Sequence, residues 1–202
     1  MKILLPISYL GSIEYFAFII QNKETIIEKQ EKFLKQTIRN RCKIYNSNGI
    51  QHLTVHKKRK SSSKIKISEI EISNEHYWKK NHIKAIKSAY SSSPFFDHYF
   101  EYFYEIYNLN ENKLFNLNLK FIELTLQILG SNNEISCTST YNNNFKGIDL
   151  RNYKFDAIEC DYYDQVFNKN HGFIRNLSII DLIFNLGPES LDYLENIKLN
   201  HL

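Results

Sequence analysis

Short apolar runs punctuated by turn formers open the chain. Residues 2–8 (KILLPIS) are almost continuously apolar, the pattern of a strand covered on both faces, and Pro6 places its end. Ser12 is suited to cap a helix over residues 12–20 that is apolar nearly all round and therefore predicted to be buried. The β-branched trio Thr25-Ile26-Ile27 marks a second strand in residues 24–30, so the opening reads as strand, helix and parallel strand with a right-handed crossover. Asn46-Ser47-Asn48-Gly49 is a turn signal. Beyond it, Leu53 and Val55 alternate with polar neighbours, and period two returns from Ile65 through Ile67 to Ile72. A strand pair is predicted from Ile50 to Ile72, with the basic run Lys57 to Lys64 as its tip.

From Tyr77 the apolar spacing changes to three and four. Trp78, His82, Ile86 and Ala89 share one stripe of a helix predicted over 76–90, and Phe96, Phe100, Phe103 and Tyr107 form an aromatic stripe over 95–107. A long helix over 111–129 turns Leu114, Leu117, Phe121, Leu124 and Ile128 inward and stops at Gly130. Strands are expected at 135–140 and 156–160, separated by an Asn-rich loop. Ser178 is expected to cap a helix over 178–186 with Asp181 reaching back, Gly187 to end it, and Pro188 to open a last short helix. The pattern defines an α/β fold: a mainly parallel sheet with flanking helices and a β-hairpin excursion, residues 1–202 forming one domain.

With 202 residues, 43% of them hydrophobic, the chain is long enough for one sizeable core. A net charge of +4, from 26 basic and 22 acidic residues, is far from the one-signed surface of a dedicated nucleic-acid binder, and the aromatics fall at core spacing instead of between basic residues. Three scattered cysteines, no charged apolar leader and no apolar run of about 18 residues lead to the expectation of a soluble cytoplasmic protein without a transmembrane segment. The seven histidines lack ligand spacing, so no metal is expected. No P-loop, GxGxxG, HExxH or Gly-x-Ser-x-Gly motif is present, and no cofactor is expected.

Candidate chemistry concentrates in Gln36-Thr37-Ile38-Arg39-Asn40-Arg41. In extended backbone Arg39 and Arg41 face the same way, a two-armed clamp for phosphate or carboxylate; ordinary surface ion pairs are the alternative reading. Asn40 faces the other way and is placed to tie the strand to its neighbour. Glu14 falls beside the first strand's end as a candidate buried carboxylate, or else as a first-turn acid favoured by the helix dipole. His82, one turn from Trp78, fits either a packed core position or general acid-base work.

Several ordered segments together resemble the WbqC-like family over nearly the whole chain: Leu5-Pro6-Ile7-Ser8-Tyr9-Leu10-Gly11-Ser12-Ile13-Glu14-Tyr15-Phe16, the Gln36 to Arg41 stretch, Gly49 before Leu53-Thr54-Val55, Trp78-x-x-x-His82 with Tyr90-x-x-x-Pro94-Phe95-Phe96, and Asn176-Leu177-Ser178-Ile179-Ile180-Asp181-Leu182-Ile183-Phe184-Asn185. Here Leu5 precedes Pro6 where family members often carry Gln-Pro, and the acids around Thr25-Ile26-Ile27 are Glu24, Glu28 and Glu31 in place of an aspartate-rich strand. The resemblance implies a transferase of bacterial surface-polysaccharide or envelope sugar metabolism. Its substrate would be a small anionic molecule: a sugar phosphate, a nucleotide-sugar or an acyl donor. In that reading Arg39 and Arg41 hold the anion, with Gln36 and Asn40 of the same stretch counted among the substrate-binding residues, Glu14 or His82 moves the proton, and Tyr9, Tyr15 and Trp78 wall the sugar or acyl group. A non-enzymatic binding or scaffold protein of envelope assembly is the competing reading, and the oligomeric state stays open.

Overall fold

In the computed structural model, which describes residues 2–58, 65–156 and 158–199, four parallel strands lie in the order β5-β2-β1-β6. β1 (Lys2–Pro6) is central, flanked by β2 (Glu24–Glu28) and the two-residue β6 (Ile148–Asp149); β5 (Ile135–Cys137) forms the edge beside β2. Ile3, Leu4 and Leu5 are fully buried, which is why this strand reads as an unbroken apolar run. Between β1 and β2 runs α1 (Ile13–Ile20). Ser12 caps it, its hydroxyl accepting from the Tyr15 amide at 3.3 Å.

The antiparallel excursion is shifted relative to the expected pair. β3 (Arg41–Asn46) pairs with β4 (Gly49–Thr54) through the Ser47-Asn48 turn, with Gly49 at φ +97° and the Asn48 amide bonded to Asn46 Oδ1 at 2.8 Å. The turn signal thus closes the hairpin itself. Residues 65–72, expected as a strand, instead make a 3-10 turn at Ile67–Glu69 and isolated bridges, Lys32 to Lys66, Lys57 to Ile72 and Glu71 to Lys113. The basic tip falls in part on residues 59–64, outside the described residues. The strand expected at 156–160 is also replaced: Glu159 makes a single bridge to Lys198, and the strand beside β1 lies upstream at Ile148–Asp149.

The helices follow their periodicities closely. α2 (Trp78–Tyr90) and α3 (Phe96–Asn108) bury their predicted stripes; α4 (Leu114–Ile128) buries Leu114, Leu117 and Phe121 of its stripe but leaves Leu124 and Ile128 half-buried, with Phe115, Ile122 and Leu126 turned inward as well. The short α5 (Asn168–His171) precedes α6 (Ile179–Leu186), and α7 (Ser190–Asn196) packs against α1. Phe184 of α6 joins these layers, its ring packing at 5.4 Å from Tyr90, 5.2 Å from Phe96 and 5.7 Å from Phe103. Ser178 does stand before α6, but its hydroxyl donates to Leu10 O at 2.8 Å instead of capping, and the Asp181 carboxylate accepts from Tyr163 Oη and Gln165 Nε2 instead of reaching back. The buried environment offers both groups stronger partners than the helix end. Gly187, at φ +55°, ends α6.

Candidate functional site

Every strand of the parallel sheet points its carboxyl end to the same edge. Here the order turns back, because the chain leaves β1 toward β2 and β5 and then returns to place β6 on the other side. Loops diverge at such a point and leave a crevice. A cavity of about 440 Å³ occupies it, walled by residues after β1 (Ser8 to Ser12), after β2 (Leu34 and Gln36 to Arg39), after β6 (Arg151 to Asp156), and by Asn176 and Ser178. The walls are pinned together: Tyr9 N donates to Ile38 O at 2.8 Å, Ile13 N to Leu177 O at 2.9 Å and Ser178 N to Lys43 O at 2.8 Å. Among the described residues four non-glycines hold positive φ, and Leu10, Gln36 and Asn176 of these line the cavity. Strain of this kind collects where surrounding structure fixes a site.

The two arginines have different surroundings. Arg39 precedes β3 in a turn and is buried; its Nε donates to Glu31 Oε1 at 2.7 Å, and its Nη2 donates to Glu31 Oε2 and, at 3.0 Å, to Arg151 O. Arg41 opens β3, its Nε donating to Thr54 Oγ1 at 3.1 Å, and no carboxylate pairs with it among the described residues. Both line the cavity, but Arg39 commits its Nε and Nη2 to Glu31 and Arg151 O, whereas both terminal nitrogens of Arg41 stay available to a ligand. Beneath them Arg151 bonds Asp149 Oδ2 at 2.6 Å and Glu28 Oε2 at 3.2 Å. Burial raises the Asp149 carboxyl, but the Arg151 hydrogen bonds and charge outweigh it and hold Asp149 below the usual range. Lys43 pairs with exposed Asp156 at 3.2 Å, a surface contact that an incoming anion can exchange.

Glu14 is buried just behind the wall. Tyr153 Oη donates to its Oε1 at 2.7 Å, Asn176 Nδ2 to its Oε2 at 2.9 Å, and its own amide donates to Asn176 Oδ1 at 3.0 Å. Burial raises the Glu14 carboxyl above its ordinary range despite these donors, and burial beside the Glu14 charge pushes Tyr153 up to about 12. Tyr153 and Asn176 line the cavity, so the carboxylate reaches it through them. Tyr153 lies in the segment with the weakest pattern and carried no sequence signal. Asn176 opens one of the family-like segments, and its left-handed conformation is a signal available only from the backbone.

The remaining predicted site residues lie deeper or on the far side. Tyr15 is fully buried, its hydroxyl donating to Pro6 O at 2.9 Å. Tyr9 lines the cavity but sends its hydroxyl into the core, where it bonds His82 Nδ1 at 2.8 Å and Tyr107 Oη. His82 packs at 5.1 Å from Trp78, and burial, aided by His56, depresses its pKa to about 4. It is a neutral imidazole at physiological pH. Asn40, Trp78 and His82 line a second concavity on the opposite side of Gln36 and Arg41. Among the described residues no group of three or more His, Cys, Asp or Glu could hold a metal ion, and no helix is long and apolar enough to cross a membrane.

A parallel α/β sheet with a walled cavity at its carboxyl edge defines the class of fold. The chain belongs to the WbqC-like protein family, whose sequence profile matches residues 8–147 and 140–193. It is 26% identical over 211 aligned positions, 89% of this chain and 91% of the other, to the uncharacterized protein Rv1507c of Mycobacterium tuberculosis. No solved structure matches.

Proposed function

We propose that the protein is a cytoplasmic transferase of bacterial surface-polysaccharide or envelope sugar metabolism, acting on a phosphorylated or nucleotide-activated sugar or acyl donor held in the strand-end cavity. The observation that carries this reading is the meeting, in one cavity, of an arginine without an acidic partner and a tyrosine backed by a buried carboxylate. Arg41 offers a planar fork to the donor's phosphate, while Arg39, neutralised by Glu31, holds the loop in shape. As an acceptor hydroxyl attacks the donor's sugar or acyl carbon, the bond from that carbon to the phosphate, nucleotide or thiolate breaks and this group departs with the electron pair; the acceptor proton passes to Tyr153 Oη while the tyrosine proton passes to Glu14, a relay along the 2.7 Å hydrogen bond. Tyr9 and Tyr15 fix the backbone of the wall from behind, through their buried hydroxyls.

The test is a thermal-shift screen of nucleotide-sugars, sugar phosphates and acyl donors, followed by turnover assays on whatever binds. Tyr153→Phe keeps the ring and deletes the relay, so binding should persist while turnover falls by about a hundredfold or more. Arg41→Lys should weaken the donor by about 1 to 3 kcal/mol. Unchanged turnover in Tyr153→Phe overturns the relay. One observation favours binding without chemistry, as in an envelope-assembly scaffold: Glu14 and His82 are both set back from open space. A bound donor that is never consumed, with every acceptor tried, would support it.

A further inference from the structure

The second concavity, about 610 Å³ and open to the surface, is lined by Lys35, Asn40, Arg41, His52, Lys57 and Trp78 among others, with no carboxylate among the described residues of its wall. Two buried polar atoms in that wall lack any hydrogen-bond partner: Trp78 Nε1, a donor, and Asn40 Oδ1, an acceptor. Trp78 is 2% exposed and Asn40 7%, so water reaches neither freely. Their orientations are fixed from behind. Asn40 Nδ2 donates to Val55 O at 3.0 Å, which leaves Oδ1 as the free end of the amide, and the indole is wedged against His82 at 5.1 Å and Tyr107 at 6.0 Å. Orphaned buried groups are rare in folded proteins, and each calls for an explanation. A donor and an acceptor left unpartnered just beneath one cationic groove are complementary, once the groove floor yields, to a ligand that has hydroxyls and a negative charge.

We propose that this groove binds a sugar bearing a phosphate or carboxylate. Hydroxyl groups, each both donor and acceptor, satisfy Trp78 Nε1 and Asn40 Oδ1. They reach these atoms as the groove floor yields, and the anionic group faces Lys35, Arg41 and Lys57. Gln36, Arg41 and His52 line this groove and the strand-end cavity alike. Resting on the transferase reading above, the groove is thus the acceptor subsite, separated from the donor by the Arg41 wall.

Trp78 is the one tryptophan in the chain, so intrinsic tryptophan fluorescence reports this groove and not the strand-end cavity. The full chain is titrated with glucose-1-phosphate, glucuronate, glucose and inorganic phosphate. A saturable emission change is expected with the sugar phosphate or the sugar acid, and the better of the two names the anion. Glucose and inorganic phosphate alone should each bind at least about tenfold more weakly, as should the better ligand to the Lys35→Gln/Lys57→Gln double variant. Trp78→Phe, followed by calorimetry well below its melting temperature, should lose about tenfold in affinity; the smaller ring also lowers that temperature through lost packing, and the lysine double variant, which leaves the core intact, is the independent check. No emission change with any of the four compounds at millimolar concentration overturns the site, as does full affinity in Trp78→Phe or in the lysine double variant. A nucleotide-sugar that raises the melting temperature while these anions leave the fluorescence unmoved would sustain the strand-end cavity and sink this groove. The converse pattern would sustain the groove and sink the donor site.

Discussion

Arg39 and Arg41 are two residues apart and have opposite energetic roles. Sequence spacing places them on one face only if the backbone is extended throughout, and the chain is extended only from Arg41 onward. Arg39 instead lies in the turn, where the partly neutralised Glu31-Arg39 pair is enclosed with the Arg151 carbonyl and the Asn118 amide, which donates to Arg39 O at 2.7 Å. No rule of spacing reveals that Glu31, eight residues upstream, folds back onto it. Arg39→Ala should therefore destabilise by about 3 to 5 kcal/mol, since Glu31 would be left buried and unpaired. Arg41→Ala, which frees only the Thr54 hydroxyl, should cost at most about 1 kcal/mol while abolishing donor binding. Urea denaturation of the two variants side by side checks the contrast; equal losses would show that Arg41 is a structural residue too.

At the scale of elements, the legible parts were those whose partner is dictated by the pattern itself. An all-apolar strand must be covered on both faces, and a three-four stripe must face a core, so β1, α1 and the helices from Trp78 to Ile128 emerged within a few residues of their observed ends. The hairpin was misplaced because alternation marks a strand but not its neighbour. Both 41–46 and 65–72 can alternate against 49–54, and the tight turn at Ser47-Asn48 decides for the nearer one. β6 was invisible for a different reason: two residues carry no period, and Ile148–Asp149 is a strand only because β1 presents an open edge. Ser178 shows the same limit within α6. Its hydroxyl is recruited by Leu10 O, across 168 residues of sequence, and so joins α6 to the loop after β1. Ser178→Ala should cost about 1 kcal/mol through that lost bond, with the helix content by circular dichroism unchanged. A loss of helix signal would return Ser178 to a capping role.

For the whole molecule, two buried groups pull the response to pH in opposite directions, beside the raised carboxyls of Glu14 and Glu31 and the lowered one of Asp149. Asp181 is fully buried among Tyr163, Gln165 and Tyr90, with no cation paired to it among the described residues, and burial raises its pKa from 3.8 to about 6. The native state therefore keeps this proton longer than the unfolded chain does. Stability from neutral Asp181 is complete below the unfolded value and is lost as pH rises through about 6. His82 runs the other way. Its pKa is depressed to about 4, so its stability is complete above the unfolded value of 6.5 and is lost as pH falls through about 4. Between these limits the two slopes cancel in part, and the protein should show a flatter stability profile than either group alone would produce. Asp181→Asn removes one slope and keeps a hydrogen-bond acceptor for Tyr163. Relative to the unaltered protein, its unfolding free energy should increase steadily from about pH 4 to about pH 7, by on the order of 3 kcal/mol, roughly two pKa units at about 1.4 kcal/mol each. Chemical denaturation at several pH values reads this difference directly, and because every other titrating group is common to both chains, their contributions drop out. A difference that stays constant across the range would mean that Asp181 titrates as it does in the unfolded chain, its burial offset by the tyrosine and glutamine donors around it.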